Sequence, residues 1–185
     1  MALKFVPLFL LFLANTLHAA PMSQEDHKAC RDGAAGMAFF KFRTVLSETA
    51  KRRVANEEAQ GKKNAIPFHP FASIEKSDCQ SVFADMNEIY QKFSKTYAAC
   101  LYAGTLEQFA AIYAEDNYDP KIELRKQIND KIYSGFSFDR CPSAKSNMES
   151  TLTKLHVAKT ALELCETSAT GLKEIGMIFR DQCRI

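Results

Sequence analysis

Six cysteines, Cys30, Cys79, Cys100, Cys141, Cys165 and Cys183, are spread along the chain with no two closer than 18 residues. That spacing lacks the close Cys-x-x-Cys pairs of structural zinc sites, and the even count predicts three disulfides tying distant segments together. His27 and Cys30 stand one helical turn apart, but no second close pair completes a site with them, so no metal or other cofactor is expected.

Disulfides of this kind require an oxidising compartment, and the N-terminus points to one. Lys4 precedes an apolar run from Phe5 to Ala14, followed by Asn15-Thr16-Leu17-His18-Ala19-Ala20 and Pro21. The pattern predicts a secretory signal peptide over residues 1–20, because the run is shorter than the ~20 apolar residues that span a bilayer and ends in small residues. Residues 21–185 are then expected to form a single secreted, extracellular domain with no transmembrane segment. Asn-x-Ser/Thr sequons do not occur, so N-glycans are not expected.

The 185 residues are 46% hydrophobic and 25% charged, proportions of a globular domain rather than a disordered one. The formal net charge of +2 offers no electrostatic footprint for nucleic acid, and no nucleic-acid partner is expected.

Apolar residues recur at helical spacing along most of the mature chain. Ser23 and Asp26 read as a helix start, followed by Ala35, Phe39, Phe42, Leu46 and Ala50. Lys51-Arg52-Arg53 and a polar stretch lead to Gly61-Lys62-Lys63. Pro67 and Pro70 then predict a loop over 61–72, whose Ile66, Phe68 and Phe71 should pack back on the core. The clearest stripe follows, from Cys79, Val82, Phe83 and Met86 through Ile89, Tyr90, Phe93 and Tyr97 to Cys100 and Leu101.

Thr105 and Gln108 after Gly104 read as a cap for a new helix carrying Leu106, Phe109 and Tyr113. Asp116-Asn117-Tyr118 reads as a turn, Asp119 as an N-cap and Pro120 as first-turn proline of a helix through Leu124, Ile128 and Ile132 that stops at Gly135. Beyond Pro142, Met148, Leu152, Leu155, Ala158, Leu162 and Cys165 mark one helix. Thr170-Gly171 then suggests a break before a last helix with Leu172, Ile175 and Phe179. The fold class is therefore all-α, a disulfide-stapled helical bundle of about five to six helices.

Helix length constrains the disulfides. Along continuous helices Cys79 and Cys100 would lie about 31 Å apart, and Cys141 and Cys165 about 36 Å. A disulfide needs Cα atoms within ~7 Å, so neither pair can bond. Six cysteines admit 15 pairings, and these exclusions remove a third of them. With the break at Gly104, two short helices separate the long ones, which then run antiparallel. This favours Cys79 with Cys165, Cys100 with Cys141, and Cys30 with Cys183; an unbroken helix through Gly104 would exchange the partners of the first two bonds.

Catalytic signatures are missing. His27, His69 and His156 form no H-x-x-x-H or H-E-x-x-H pattern, and no nucleophile elbow, phosphate loop or dinucleotide fingerprint occurs. Glu57-Glu58 and Glu115-Asp116 read as polar-stretch and turn chemistry rather than a glycosidase pair. No enzymatic activity or catalytic residue is expected. Phe83, Tyr90, Phe93 and Tyr97 could line a cavity for an apolar ligand, or belong to a helical core. Lys51, Arg52, Arg53, Lys62 and Lys63 form a candidate basic surface, and their two basic runs also resemble precursor cleavage sites. The expectation is a secreted non-enzymatic protein binding an extracellular macromolecular partner as an effector, modulator or signalling factor. The alternative is an extracellular carrier of fatty acids or other small apolar ligands held between helices.

Overall fold

In a computed structural model, residues 21–62, 68–114, 123–134 and 136–183 are described. The expected signal peptide, Lys63, Ile66 and Pro67 lie outside them, as do Asp116-Asn117-Tyr118, Asp119, Pro120 and Gly135. Among the described residues the chain is all-α, with six α-helices: α1 (Gln24–Ala59), α2 (Phe83–Tyr102), α3 (Leu106–Tyr113), α4 (Leu124–Tyr133), α5 (Pro142–Leu155) and α6 (Ala161–Ile178). A short 3₁₀ helix, Lys76–Val82, leads into α2. The one β-contact among them is an isolated bridge between Pro21 and Thr105.

Local chemistry sets the ends of α1. The Ser23 hydroxyl accepts from the Asp26 amide at 3.1 Å, and the Asp26 carboxylate accepts from the Ser23 amide at 2.8 Å, which closes the capping box read from the sequence. Asp26 is buried. Burial alone would raise its carboxyl pKa, but the Ser23 hydrogen bonds and the Arg125 guanidinium hold it below the usual carboxylate range. At the other end Gly61 has φ 81°, a left-handed conformation open to a residue without Cβ.

The long helix serves as a spine. Phe39, Phe42 and Leu46 on its inner face are fully buried, as are Met148 and Leu155 of α5 and Leu164, Leu172 and Ile175 of α6. Each such side chain contributes about 1.5 to 3 kcal/mol when removed from water. Small residues in α1 admit its other neighbours. A Cβ at Gly36 would lie 2.4 Å from Ile132 Cγ1, and the Tyr113 hydroxyl donates to the Cys30 carbonyl across Gly33.

The disulfides join Cys30 with Cys100, Cys79 with Cys165, and Cys141 with Cys183. Both exclusions hold and the Cys79–Cys165 bond is as favoured, but the expected Cys100–Cys141 and Cys30–Cys183 bonds are not formed. The cause is a misplaced break. The segment after Pro142 is not one helix to Cys165, because α5 ends at Leu155 and α6 begins at Ala161 with the Thr160 hydroxyl accepting from the Glu163 amide. Helix α6 instead continues through Gly171, where the expected break is absent.

Helices α5 and α6 therefore form a hairpin, which brings the start of one to the end of the other and pairs Cys141 with Cys183. The far end of α2 returns to the start of α1, leaving Cys100 for Cys30. The break at Gly104 is as read: Thr105 caps α3 by accepting from the Gln108 amide, and Gln108 Oε1 accepts from the Gly104 amide at 2.7 Å.

In the expected 61–72 loop, Phe71 packs on Phe136 with ring centroids 5.7 Å apart. Phe68 does not pack inward and stays 40% exposed. Phe136 stacks on Phe138 at 4.8 Å, and both rings pack near Phe179 at the end of α6.

The Gly36 contact gives a test. Gly36→Ala gains helix propensity of ~1 kcal/mol but drives a methyl into the buried Ile132, and overpacking of this kind costs about 1 to 3 kcal/mol. Denaturant melts should show net destabilisation, and the loss in Gly36→Ala/Ile132→Ala should be smaller than the sum of the single losses.

Candidate functional site

Helix α2 buries only a narrow strip, Met86, Phe93 and Cys100. Phe93 belongs to the core, with its ring 6.4 Å from Tyr90 and 5.5 Å from Tyr97. The remaining three residues of the aromatic ladder lie along one edge of the helix, because Phe83, Tyr90 and Tyr97 are spaced by seven. Tyr90 and Tyr97 are half-buried, while Phe83 is 65% exposed and Leu101, one turn beyond Tyr97, is 48% exposed.

This edge runs beside the connection between α5 and α6. The Tyr97 ring lies 5.6 Å from the His156 ring, the Tyr90 hydroxyl donates to the Lys159 carbonyl at 2.6 Å, and Cys79 is bonded to Cys165. The order is reversed along the two segments, so Val157 stands at the level of Tyr97 and Leu162 near that of Phe83. Val157 is 74% exposed and Leu162 45%. The two segments thus present apolar side chains to solvent along a common margin. Leu162 was expected on a buried helical face; the inner face of α6 instead runs through Leu164, Cys165, Ser168, Leu172 and Ile175.

The four ladder residues do not line the groove found between α5 and α6. That groove, about 210 Å³, is lined by Lys76, Thr151, Lys154, Glu163, Glu166 and Glu174 among others.

The connection is anchored on α1 by charge. His156 Nε2 lies 3.1 Å from Asp32 Oδ1, and Lys28 Nζ donates to Asp32 Oδ2 at 2.6 Å. Burial is the largest single influence on the Asp32 carboxyl and pushes its pKa up, but hydrogen bonds from His156 and Lys28, with their charges, bring it below the ordinary range. Sequence spacing gave no sign of this pair, since 124 positions separate its members. Nearby, burial with Glu149 and Asp32 pushes the Tyr133 hydroxyl up to about 12, so it remains a neutral donor toward Glu149.

The basic residues have different environments. Lys51, Arg52 and Lys62 are exposed, and Lys63 lies outside the described residues. Arg53 is turned toward the protein: its Nε donates to Asp78 Oδ1 at 2.9 Å, its Nη2 donates to the Ser73 carbonyl, and Asp78 is 2% exposed. This bonding to Asp78 raises the guanidinium pKa further.

His27 Nδ1 meets the Cys100 carbonyl at 3.0 Å, while the Cys30 sulfur is bonded to Cys100. No group of three or more His, Cys, Asp or Glu side chains is placed to hold a metal ion among the described residues. No family model, curated protein or solved structure matches the chain.

Two predictions separate these roles. Arg53→Gln should destabilise the fold by about 2 to 4 kcal/mol, because it leaves the Asp78 carboxylate buried without its cation. Lys51→Ala and Arg52→Ala should each stay within ~0.5 kcal/mol in the same urea melts. For Asp32, the lowered folded-state pKa means that its stabilising contribution is complete above the unfolded carboxylate value of ~3.9 and is lost as pH falls through the folded value. Asp32→Asn should therefore flatten the acid limb of a stability-against-pH curve below pH ~4, leaving the contribution of Asp26 in place.

Proposed function

We propose that the protein is a secreted, non-catalytic binding protein that engages an extracellular macromolecular partner through the edge formed by α2 and the α5–α6 connection. The observation that carries this reading is the exposure of Phe83, Leu101, Val157 and Leu162 along one margin, beside half-buried Tyr90 and Tyr97. Apolar patches rimmed by polar groups mark interaction sites, and aromatic residues are enriched in interfaces.

Secretion is supported by the signal-like N-terminal sequence and by three disulfides, which persist in oxidising compartments. No helix among the described residues is long and apolar enough to cross a membrane. The edge is also well supported from behind, since the Cys79–Cys165 bond and the Tyr90 to Lys159 hydrogen bond hold its two sides in register. Such rigidity lowers the ordering cost of association.

The test is covalent capture on intact cells, with purified wild-type protein and the Phe83→Asp/Val157→Asp variant run in parallel. Both altered side chains are mostly exposed, so the variant should keep its circular dichroism spectrum and melting temperature. The reading expects a defined cell-surface or matrix species captured by wild type and reduced at least tenfold with the variant. Equal capture by both would overturn the assignment to this edge. A stoichiometric apolar compound released from the native protein in mass spectrometry would replace the reading with that of a carrier.

A further inference from the structure

His69 caps the turn that follows the 63–67 segment, and it does so through a ring nitrogen. His69 Nδ1 accepts the Phe71 amide at 3.3 Å and the Ala72 amide at 3.1 Å. The turn is closed by the Ser73 amide donating to the His69 carbonyl at 3.1 Å and by the His69 amide donating to the Ser73 hydroxyl at 3.3 Å. This arrangement needs the neutral imidazole with its proton on Nε2, because an imidazolium has donors at both nitrogens.

The capped backbone is pressed onto α6. A Cβ at Gly176 would lie 2.3 Å from the Ala72 amide nitrogen and 2.7 Å from the Phe71 carbonyl carbon, so there is no room for water between them. Phe71 is thereby laid over Phe136, at the margin of the aromatic cluster with Phe138 and Phe179. Arg180 at the end of α6 is paired with Asp181 at 2.6 Å, Arg53 of α1 is held by Asp78 and flanked by Glu57 and Glu75, and Arg43 lies over the Phe136 ring at 4.8 Å.

We propose that His69 is an acid-sensitive release for this turn: protonation at Nδ1 replaces the acceptor of two backbone N–H groups with a third donor, and the turn lifts from Gly176, uncovering Phe71 and the cluster beneath it. The proton comes from solvent and no bond other than N–H is made. Burial, aided by the charge of Arg180, lowers the folded-state pKa of His69. The stabilising contribution of the cap is therefore complete above the unfolded imidazole value of ~6.5 and is lost as pH falls through the lower folded value. The release therefore acts on the acid side of the ordinary imidazole value of ~6.5.

The experiment is an NMR titration of the full mature chain that follows the His69 ring resonances together with exchange protection of the Phe71 and Ala72 amides, corrected for intrinsic exchange. Protection of both amides should fall at least tenfold with the midpoint of the ring titration, while the amides of α1 around Phe39 stay protected. His69→Asn, whose side-chain oxygen accepts the same amides at every pH, should fold and show no such step. The proposal is overturned if protection persists after the ring has titrated. It is equally overturned if the ring stays neutral until global unfolding, or if the step survives in His69→Asn.

Discussion

Close approach to the middle of α1 governs how the rest of the chain is arranged. Gly33-Ala34-Ala35-Gly36 is buried throughout, and it removes enough side-chain volume for the Tyr113 ring and Ile132 to reach the spine. Dense packing of this sort favours one relative placement of helices, because displacement in either direction opens a void or forces a clash. Larger residues take over further along the helix, where Phe39, Phe42 and Leu46 are fully buried and the Phe39 ring stacks on Phe136. The change from small to large side chains along one helix thus lets Tyr113 and Ile132 approach closely at Gly33 and Gly36, beside the point where His156 ties the α5–α6 connection to Asp32.

Much of this was readable from periodicity and capping. Ser23 with Asp26 and Thr105 with Gln108 act locally, so the sequence within four residues contains all that the cap needs. The failures concern length and return path. Lys154 to Lys159 interrupts a region rich in helix formers without a proline or a glycine, and Gly171, which reads as a breaker, is tolerated mid-helix because its missing side chain accommodates Thr151. That exchange of a real break for a false one moved two disulfides. Bond partners depend on where helices turn back, and a displacement of one turn-back point changes which ends meet.

The exposed apolar edge was legible only in part. Helical periodicity identified the stripe of α2 that holds Phe83, Tyr90, Phe93 and Tyr97, but periodicity cannot tell a buried strip from its flank. A single helix carries both, and the neighbours decide which is covered. Phe93 went to the core while Phe83, separated from it by ten residues, remained outside. The α5–α6 side of the edge was hidden further, since Val157 lies in a connection rather than in a periodic segment. Arg53 illustrates the same limit for charge: it shares a basic run with Lys51 and Arg52, yet the face it occupies points to a buried carboxylate supplied 25 positions later.

The three cross-links also overlap in chain order. The loop closed by Cys30 and Cys100 interleaves with that closed by Cys79 and Cys165, which interleaves in turn with that closed by Cys141 and Cys183. Every peptide bond from Cys30 to Cys183 is therefore bridged by at least one disulfide. A protease that cuts after the basic pair Lys62-Lys63 would release nothing: the product would be a two-chain molecule whose halves stay covalently joined through Cys30–Cys100 and separate only on reduction.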